Sequence, residues 1–244
     1  MTFPKINLHN HSVFSDGKNT IEQIIKKAIE VNFNYIAITD HISDSWKSKI
    51  IDTLSSQEKI NSYLHEINLH SNILRKNKYK LKVLKGIEVD LESSFNFIKK
   101  LINPEKFDII LFEHLETPES IGFIQKLIGE WNKIGLISQI KPIFGLAHFD
   151  PSYFIYSGID ILLAFLKKYK IYFEFNSNYS HYYSPKYKKL FFDKLRNYNI
   201  PVATSSDSHH INELNNVQEP LSMIEYYDLN KNFEDLINSL GKLD

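Results

Sequence analysis

The 244-residue chain alternates short apolar runs with longer amphipathic stretches. Seven runs stand out: Lys5–Leu8, Tyr35–Thr39, Lys82–Val89, Asp108–Phe112, Pro142–Ala147, Ile171–Phe175 and Pro201–Ser205. They are rich in Ile, Val, Phe and Tyr and mostly lack strict polar alternation, the pattern of strands buried on both faces of a parallel sheet. Between them the apolar positions recur at helical spacing. The clearest case is about 21–32, where Ile21, Ile24, Ile25, Ala28 and Ile29 form one stripe behind a Thr20/Gln23 capping box. Further helices are predicted near Ser56–Lys76, Ser94–Leu101, Ser120–Ile137, Ile159–Lys168, Pro185–Tyr198 and Asn232–Leu240. Strands alternating with helices predict βαβ units. Seven such units favour an α/β, TIM-like barrel with seven strands over an open sheet, although periodicity alone does not separate the two. No repeat, low-complexity tract or Pro/Gly/Ser linker interrupts the pattern, so 1–244 reads as a single domain.

Composition narrows the chemistry. Lys plus Arg and Asp plus Glu are both 29, a formal net charge of zero, which argues against sequence-blind binding of long nucleic acid. There is no cysteine, so disulfides and thiolate zinc sites are excluded and any metal must be held by His, Asp and Glu. The stretch Met1-Thr2-Phe3-Pro4-Lys5-Ile6 has no long apolar run, and no segment approaches the roughly 18 apolar residues of a membrane span. A cytoplasmic location, with no membrane partner, is the expectation.

The ionisable residues fall on the strand map in a telling way. His9, His11 and Asp16 follow the first run, and Asp40 and His41 the second. Glu88 ends the third, Glu113 and His114 follow the fourth, and His148 and Asp150 the fifth. Glu174 and Asn176 close the sixth, and Asp207, His209 and His210 follow the seventh. In a parallel barrel the carboxyl ends of all strands share one rim, where active sites sit. Imidazole and carboxylate donors suit Zn, Mn or Fe. His9-Asn10-His11 can turn both rings the same way, because the pleat repeats every two residues. Two ions close together activate a nucleophile and neutralise charge in an in-line displacement at phosphorus. No clustered glycines form a phosphate-cradling loop.

At these residues the sequence resembles the PHP (polymerase and histidinol phosphatase) family of barrel metallohydrolases. His9-Asn10-His11-Ser12-Val13-Phe14-Ser15-Asp16-Gly17 is similar to its first motif, Ile38-Thr39-Asp40-His41 to its second and Gly86-Ile87-Glu88-Val89-Asp90 to its third. Ala147-His148 and Ser206-Asp207-Ser208-His209 are similar to the later ones. The resemblance implies a distorted (β/α)7 barrel with three divalent ions. His9, His11, Glu88 and Asp207 would hold the first, Glu88, His114 and His148 the second, and Asp16, His41 and His209 the third. Glu88, Asp207 and His209 would be the catalytic set, with a hydroxide bridging the metals as nucleophile. Asp40 would orient a ligand rather than bind metal.

Within the family the histidinol-phosphatase branch looks nearest, from the chain length, His148-Phe149-Asp150 and the path from Pro185 through Ile200-Pro201-Val202 into Asp207. Two departures stand out. The family usually has small residues where this chain has Phe112-Glu113 before His114. Branch members often carry a basic residue where Pro151-Ser152-Tyr153 follows Asp150. Amidohydrolase barrels also open with His-x-His, but they usually add a strand-four Lys and end on Asp alone.

The expected activity is therefore a metal-dependent phosphomonoesterase acting on a small phosphorylated substrate, with histidinol phosphate the first candidate. A phosphodiesterase or nuclease acting on nucleotides or short nucleic-acid ends is the alternative, and a non-catalytic barrel scaffold the third reading. Glu113 and Glu174 are expected to be structural supports. Asn176 is open as a substrate contact, and His210 as a neighbour of His209. His65, His70 and His181 are expected to lie off the rim. Asp16 would also suit a plain Ser-Asp-Gly turn, but its motif favours a ligand. Lys167, Lys168 and Lys170 read as a solvated helix end. The only arginines, Arg75 and Arg196, fall away from the rim, which leaves the phosphate contacts unassigned.

Overall fold

The computed structural model describes residues 3–137, 142–155 and 158–243. Met1 and Thr2, where the amino-terminal reading began, lie outside them. Strands and helices alternate in the order β1 (Ile6–Asn7), α1 (Ile21–Glu30), β2 (Tyr35–Ile38), β3 (His41–Ile42), α2 (Gln57–Lys76), β4 (Lys82–Asp90), α3 (Phe95–Leu101), β5 (Ile109–Glu113), α4 (Pro118–Lys133), β6 (Ile143–Leu146), α5 (Ser152–Ile155), α6 (Ile159–Tyr169), β7 (Phe173–Asn176), α7 (Pro185–Asn197), β8 (Val202–Ser205), α8 (Gln218–Tyr226) and α9 (Asn230–Leu240).

All pairings are parallel. One curled sheet runs β1-β2-β4-β5-β6 with β3 also on β4, and β7 pairs β8 separately. Backbone bonds tie the two sheets together on both sides. Tyr172 N donates to Phe144 O (2.9 Å) and Leu146 N to Tyr172 O (3.0 Å) between β6 and β7, and Leu8 N donates to Thr204 O (3.4 Å) between β8 and β1. The eight labelled strands occupy seven positions around a distorted barrel. β2 and β3 are one strand broken at Thr39-Asp40: the offset to β4 is the same on both sides, Ile38 opposite Lys85 and His41 opposite Glu88. The break leaves the carbonyls of Ile38 and Gly86 facing α2, where the buried Tyr63 hydroxyl lies 2.6 and 2.7 Å from them. Burying them unpaired would be costly.

The capping box at α1 forms as the sequence predicts, with Gln23 N donating to Thr20 Oγ1 and Thr20 N to Gln23 Oε1. The predicted helices near 56–76 and 94–101 begin behind Ser56 and Ser94 as N-caps. The helix expected from Ser120 starts two residues earlier, at Pro118, because Thr117 caps it. α5 and α8 were not predicted; the first is one turn long and the second carries Pro220 in its first turn, which masks its periodicity.

Gly145 is required where the barrel closes. A Cβ there would stand 2.3 Å from the Tyr172 ring, so no larger residue lets β6 and β7 approach. An aromatic cluster that includes Phe149, Phe173, Phe175, Phe191, Phe192 and Tyr227 packs this side of the barrel against the helices. Among the described residues no helix is long and apolar enough to cross a membrane.

Candidate metal centre

The carboxyl ends of the strands carry a dense block of buried polar side chains. His9, His11, His41, Asp40, Glu88, Asp90, Glu113, Glu174, Asn176 and Asp207 are all buried. Glu88, at the centre, is fully buried. Its Oε1 lies 3.3 Å from His9 Nε2 and 3.2 Å from His148 Nε2. Its Oε2 lies 3.4 Å from His11 Nε2 and 2.9 Å from His41 Nδ1. Asp207 Oδ1 lies 2.9 Å from His11 Nε2 and 3.3 Å from His9 Nε2. The donors expected for the first ion therefore converge.

So do those expected for the third. His209 Nε2 lies 3.1 Å from Asp16 Oδ2, His41 Nε2 lies 3.7 Å from the same oxygen, and His11 Nδ1 lies 3.5 Å from Asp16 Oδ1. His11, Asp16, His41 and His209 form one group of ligand atoms within 4.8 Å, and His9, His11 and Glu88 form another. The second set is gathered only in part. His148 reaches Glu88, whereas His114 turns its Nδ1 to Asp90 Oδ1 (3.2 Å) and groups with Asp90 and Glu113.

Several of the well-placed ligands have a support. Glu174 accepts from His9 Nδ1 at 2.8 Å, which fixes the tautomer and leaves Nε2 as the free donor atom. The same carboxylate accepts from Ser205 Oγ, His148 N and Asn176 Nδ2. Asp40 accepts from Ser12 N, Ser12 Oγ and Ser15 Oγ and so holds the first loop. Ser15 Oγ in turn stands 3.4 Å from His11 Nδ1. Gly17 lets this loop fold on itself: a Cβ there would meet the His11 carbonyl at 2.3 Å. Asn176 Oδ1 accepts from Asn178 N, so both ends of its amide serve the protein. His210 Nδ1 accepts from Asn212 N, outside the groups above. His65 and His70 lie on α2, away from the rim. His181 sits in the 3-10 turn after β7, exposed and outside the groups above, with its ring 4.3 Å from the neighbouring Tyr182.

Three ligand candidates stand in the left-handed backbone region: His114 (φ 62°), His148 (φ 31°) and Asp207 (φ 48°). Such conformations cost of order 1–3 kcal/mol in non-glycine residues and cluster at functional sites. Here each follows a strand end and turns the chain across the rim.

The electrostatics fit cation binding. Burial alone would raise the Glu88 carboxyl, but His9 and His41 outweigh it and hold the group ionised, well below its ordinary range. Asp207 is likewise lowered against its burial by His9 and His11. Burial opposes the imidazolium of His9, yet Glu174, Glu88 and Asp207 push it well above the usual value. His209 is raised to about 9, as its contacts with Asp16 and Asp207 overcome desolvation. Both Glu88 oxygens, Asp207 Oδ1, His41 Nδ1 and Glu113 Oε1 are buried without a hydrogen bond of proper geometry. Buried, ionised and unbonded carboxylate is expensive unless paired with a cation. This nitrogen and oxygen donor set therefore fits several divalent ions of the Zn, Mn or Fe kind.

Fold and site together define a barrel with a rim of clustered metal-binding side chains. The PHP domain family matches residues 7–241, and the chain belongs to that family. The histidinol phosphate phosphatase of Lactococcus lactis subsp. lactis Il1403, solved with zinc, L-histidinol and phosphate, superposes with a TM-score of 0.65 at 14% identity, over 93% of this chain and 94% of that one. A Listeria monocytogenes protein assigned as histidinol phosphatase gives 0.61 at 19% identity, over 86% and 97%. At these identities the likeness is one of fold. The DNA polymerase/3'-5' exonuclease PolX of Bacillus subtilis (strain 168) is 32% identical over 87 residues, 36% of this chain but only 14% of that protein.

Proposed function

We propose that the chain is a metal-dependent phosphomonoesterase and that histidinol phosphate is its substrate. The observation that carries this reading is Glu88, a buried ionised carboxylate whose two oxygens face four imidazoles and no hydrogen-bond donor in proper geometry. His9, His11, Asp16, His41, Glu88, His114, His148, Asp207 and His209 are the proposed ligands of three ions, with Asp90 supporting His114 through its Nδ1. Bound divalent cations would supply Lewis-acid activation of water and neutralisation of phosphate charge. The chain's own part is to hold these donors in place. Glu174 fixes His9, Asp40 fixes the first loop, and the ionised Glu88 and Asp207 stand at the centre. His209, a third exposed, forms the solvent side of the proposed catalytic set with Glu88 and Asp207.

A pocket of about 200 Å³ opens beside His114 and His148, lined also by Glu116, Asp150, Tyr153, Tyr179 and Tyr182. That is below the roughly 300–1,000 Å³ of sites for drug-sized ligands, so it suits a small ester. Two carboxyl groups and three tyrosines suit an amine- or imidazole-bearing leaving group, the chemistry of the histidinol that the Lactococcus protein binds. We further propose that 1–244 works as one unit and that the zinc of that relative is the first ion to try.

The local match to PolX favours a second reading, hydrolysis of nucleotides or nucleic-acid ends. Purified protein reloaded with Zn²⁺, Mn²⁺ or Fe²⁺ should release phosphate from histidinol phosphate faster than from a nucleotide 3′,5′-bisphosphate. The reverse preference would replace the first reading with the second. No turnover of either, with negligible metal bound, would return the scaffold reading.

A further inference from the structure

We propose that Tyr179 is a substrate-contact residue: its hydroxyl donates a hydrogen bond to a phosphoryl oxygen at the metal centre, and so supplies a phosphate contact that neither arginine of this chain can make. The inference rests on the proposed phosphate chemistry of the rim, not on the identity of the leaving group.

The turn after β7 puts Tyr179 there. Ser177–Tyr182 form a 3-10 turn, and inside it Tyr179 leaves helical geometry, at φ −123° and ψ 39°. The turn is fixed to two strand ends of the rim. Asn176 Oδ1 accepts from Asn178 N, and Asn178 Nδ2 donates to Asp207 O, both at 3.1 Å. The Tyr179 ring stacks on His148 at 4.5 Å and on Tyr182 at 5.3 Å. His148 in turn stacks on His9 at 5.8 Å. Tyr179 therefore lies against an imidazole whose Nε2 meets Glu88, and it lines the pocket beside His114 and His148.

The hydroxyl is well placed and uncommitted. Among the described residues nothing hydrogen-bonds it, although Tyr179 is half-buried. A sheltered phenol usually finds a partner. Burial, and then the charges of Asp207 and Glu88, raise this phenol above its ordinary value, so those two carboxylates are within electrostatic reach of it. A phosphoryl group bound to ions at Glu88 and Asp207 would bring acceptor oxygens into the same space. The arginines cannot serve it. Arg75 and Arg196 sit in the last turns of α2 and α7, and in a parallel barrel the helices return the chain to the end opposite the rim. Lys47 is engaged, with its Nζ 2.5 Å from Glu113 Oε2.

The test titrates inorganic phosphate into Zn²⁺-loaded protein by calorimetry, so it needs no turnover and its failure is separable from that of the phosphatase reading. Wild-type protein, Tyr179→Phe and Tyr179→Leu are compared, with bound zinc read by elemental mass spectrometry and folding by circular dichroism. Tyr179→Phe keeps a ring on His148 and removes only the hydroxyl. It should keep the wild-type zinc count and bind phosphate about 10–100-fold more weakly, the range for losing a hydrogen bond to a charged group. Its kcat/KM should fall by a similar factor on histidinol phosphate and on p-nitrophenyl phosphate, because the contact is to the group they share. Wild-type phosphate affinity in Tyr179→Phe would overturn the proposal and leave the ring as a stacking partner of His148. Loss of zinc from that variant, or a zinc-loaded wild type that binds no phosphate, would overturn it too. Weakened phosphate binding in Tyr179→Phe, with no turnover of either ester by the wild type, would uphold the contact and sink the phosphatase reading instead. Should Tyr179→Phe fail to fold, Tyr179→Leu is read in its place: weaker phosphate at an unchanged zinc count supports the contact, and unchanged affinity overturns it.

Discussion

The two sides of the rim are built by different means. On the β1/β8 side, the imidazoles of His9, His11 and His209 gather around the carboxylates of Asp16 and Asp207; His11 and His209 are 4.4 Å apart, ring to ring. Each ligand there is aimed by a hydrogen bond from behind, His9 by Glu174 and the first loop by Asp40. On the β4/β5 side the order is inverted. Asp90 and Glu113 dominate, and a lysine and His114 balance their charge. The first side is a set of imidazoles aimed at shared carboxylates, whereas the second is a set of anions held apart by cations. Loss of a support should therefore loosen metal on the first side. Loss of a cation should instead redistribute charge on the second. Glu88 belongs to both.

The largest effect is expected where the sides meet. Glu88→Ala should abolish metal-dependent phosphate release and remove more than one zinc equivalent, and full activity would break the comparison at its centre. Exhaustive chelation of the wild type should do the same reversibly, with activity regained on adding Zn²⁺ or Mn²⁺; undiminished turnover by stripped protein would sink the metal reading. Glu174→Gln should weaken zinc on the first side by about 10–100-fold, because a conserved shape replaces the anion that aims His9. Competition with a fluorescent chelator reads this, and wild-type affinity would show that His9 needs no anionic partner. The smallest effect belongs far from both sides. Thr20→Ala removes the α1 capping box and should cost about 1 kcal/mol in denaturant unfolding with an unchanged zinc count. A shifted count would mean that α1 helps to set the rim.

Much of this fold was legible because parallel strands buried on both faces leave long apolar runs. All seven runs became strand positions, and the Thr20/Gln23 box formed as read. The break at Thr39-Asp40 was not legible, since it depends on Tyr63 arriving from α2 to meet two freed carbonyls. At the site, a shared rim for His9, His11, Glu88 and Asp207 was readable because strand ends converge, while their grouping on one ion came from the family resemblance. The positive φ of His114, His148 and Asp207 left no mark in the sequence, as none is glycine. Glu113 was expected to be a support; nothing local in the sequence said that its two oxygens would face Lys47 and His41.

The sequence by itself determined the alternation of buried strands and helices and the donor chemistry. Hydrophobic period follows from burial, and with no cysteine the donors of any metal had to be nitrogen and oxygen. Only the tertiary structure decided which donors share a point. Strand register and the turn out of each strand set side-chain direction to within a few ångström, and neither is encoded by residue type alone. That is why His114 is drawn to Asp90 while Glu113 faces Glu88 and His41.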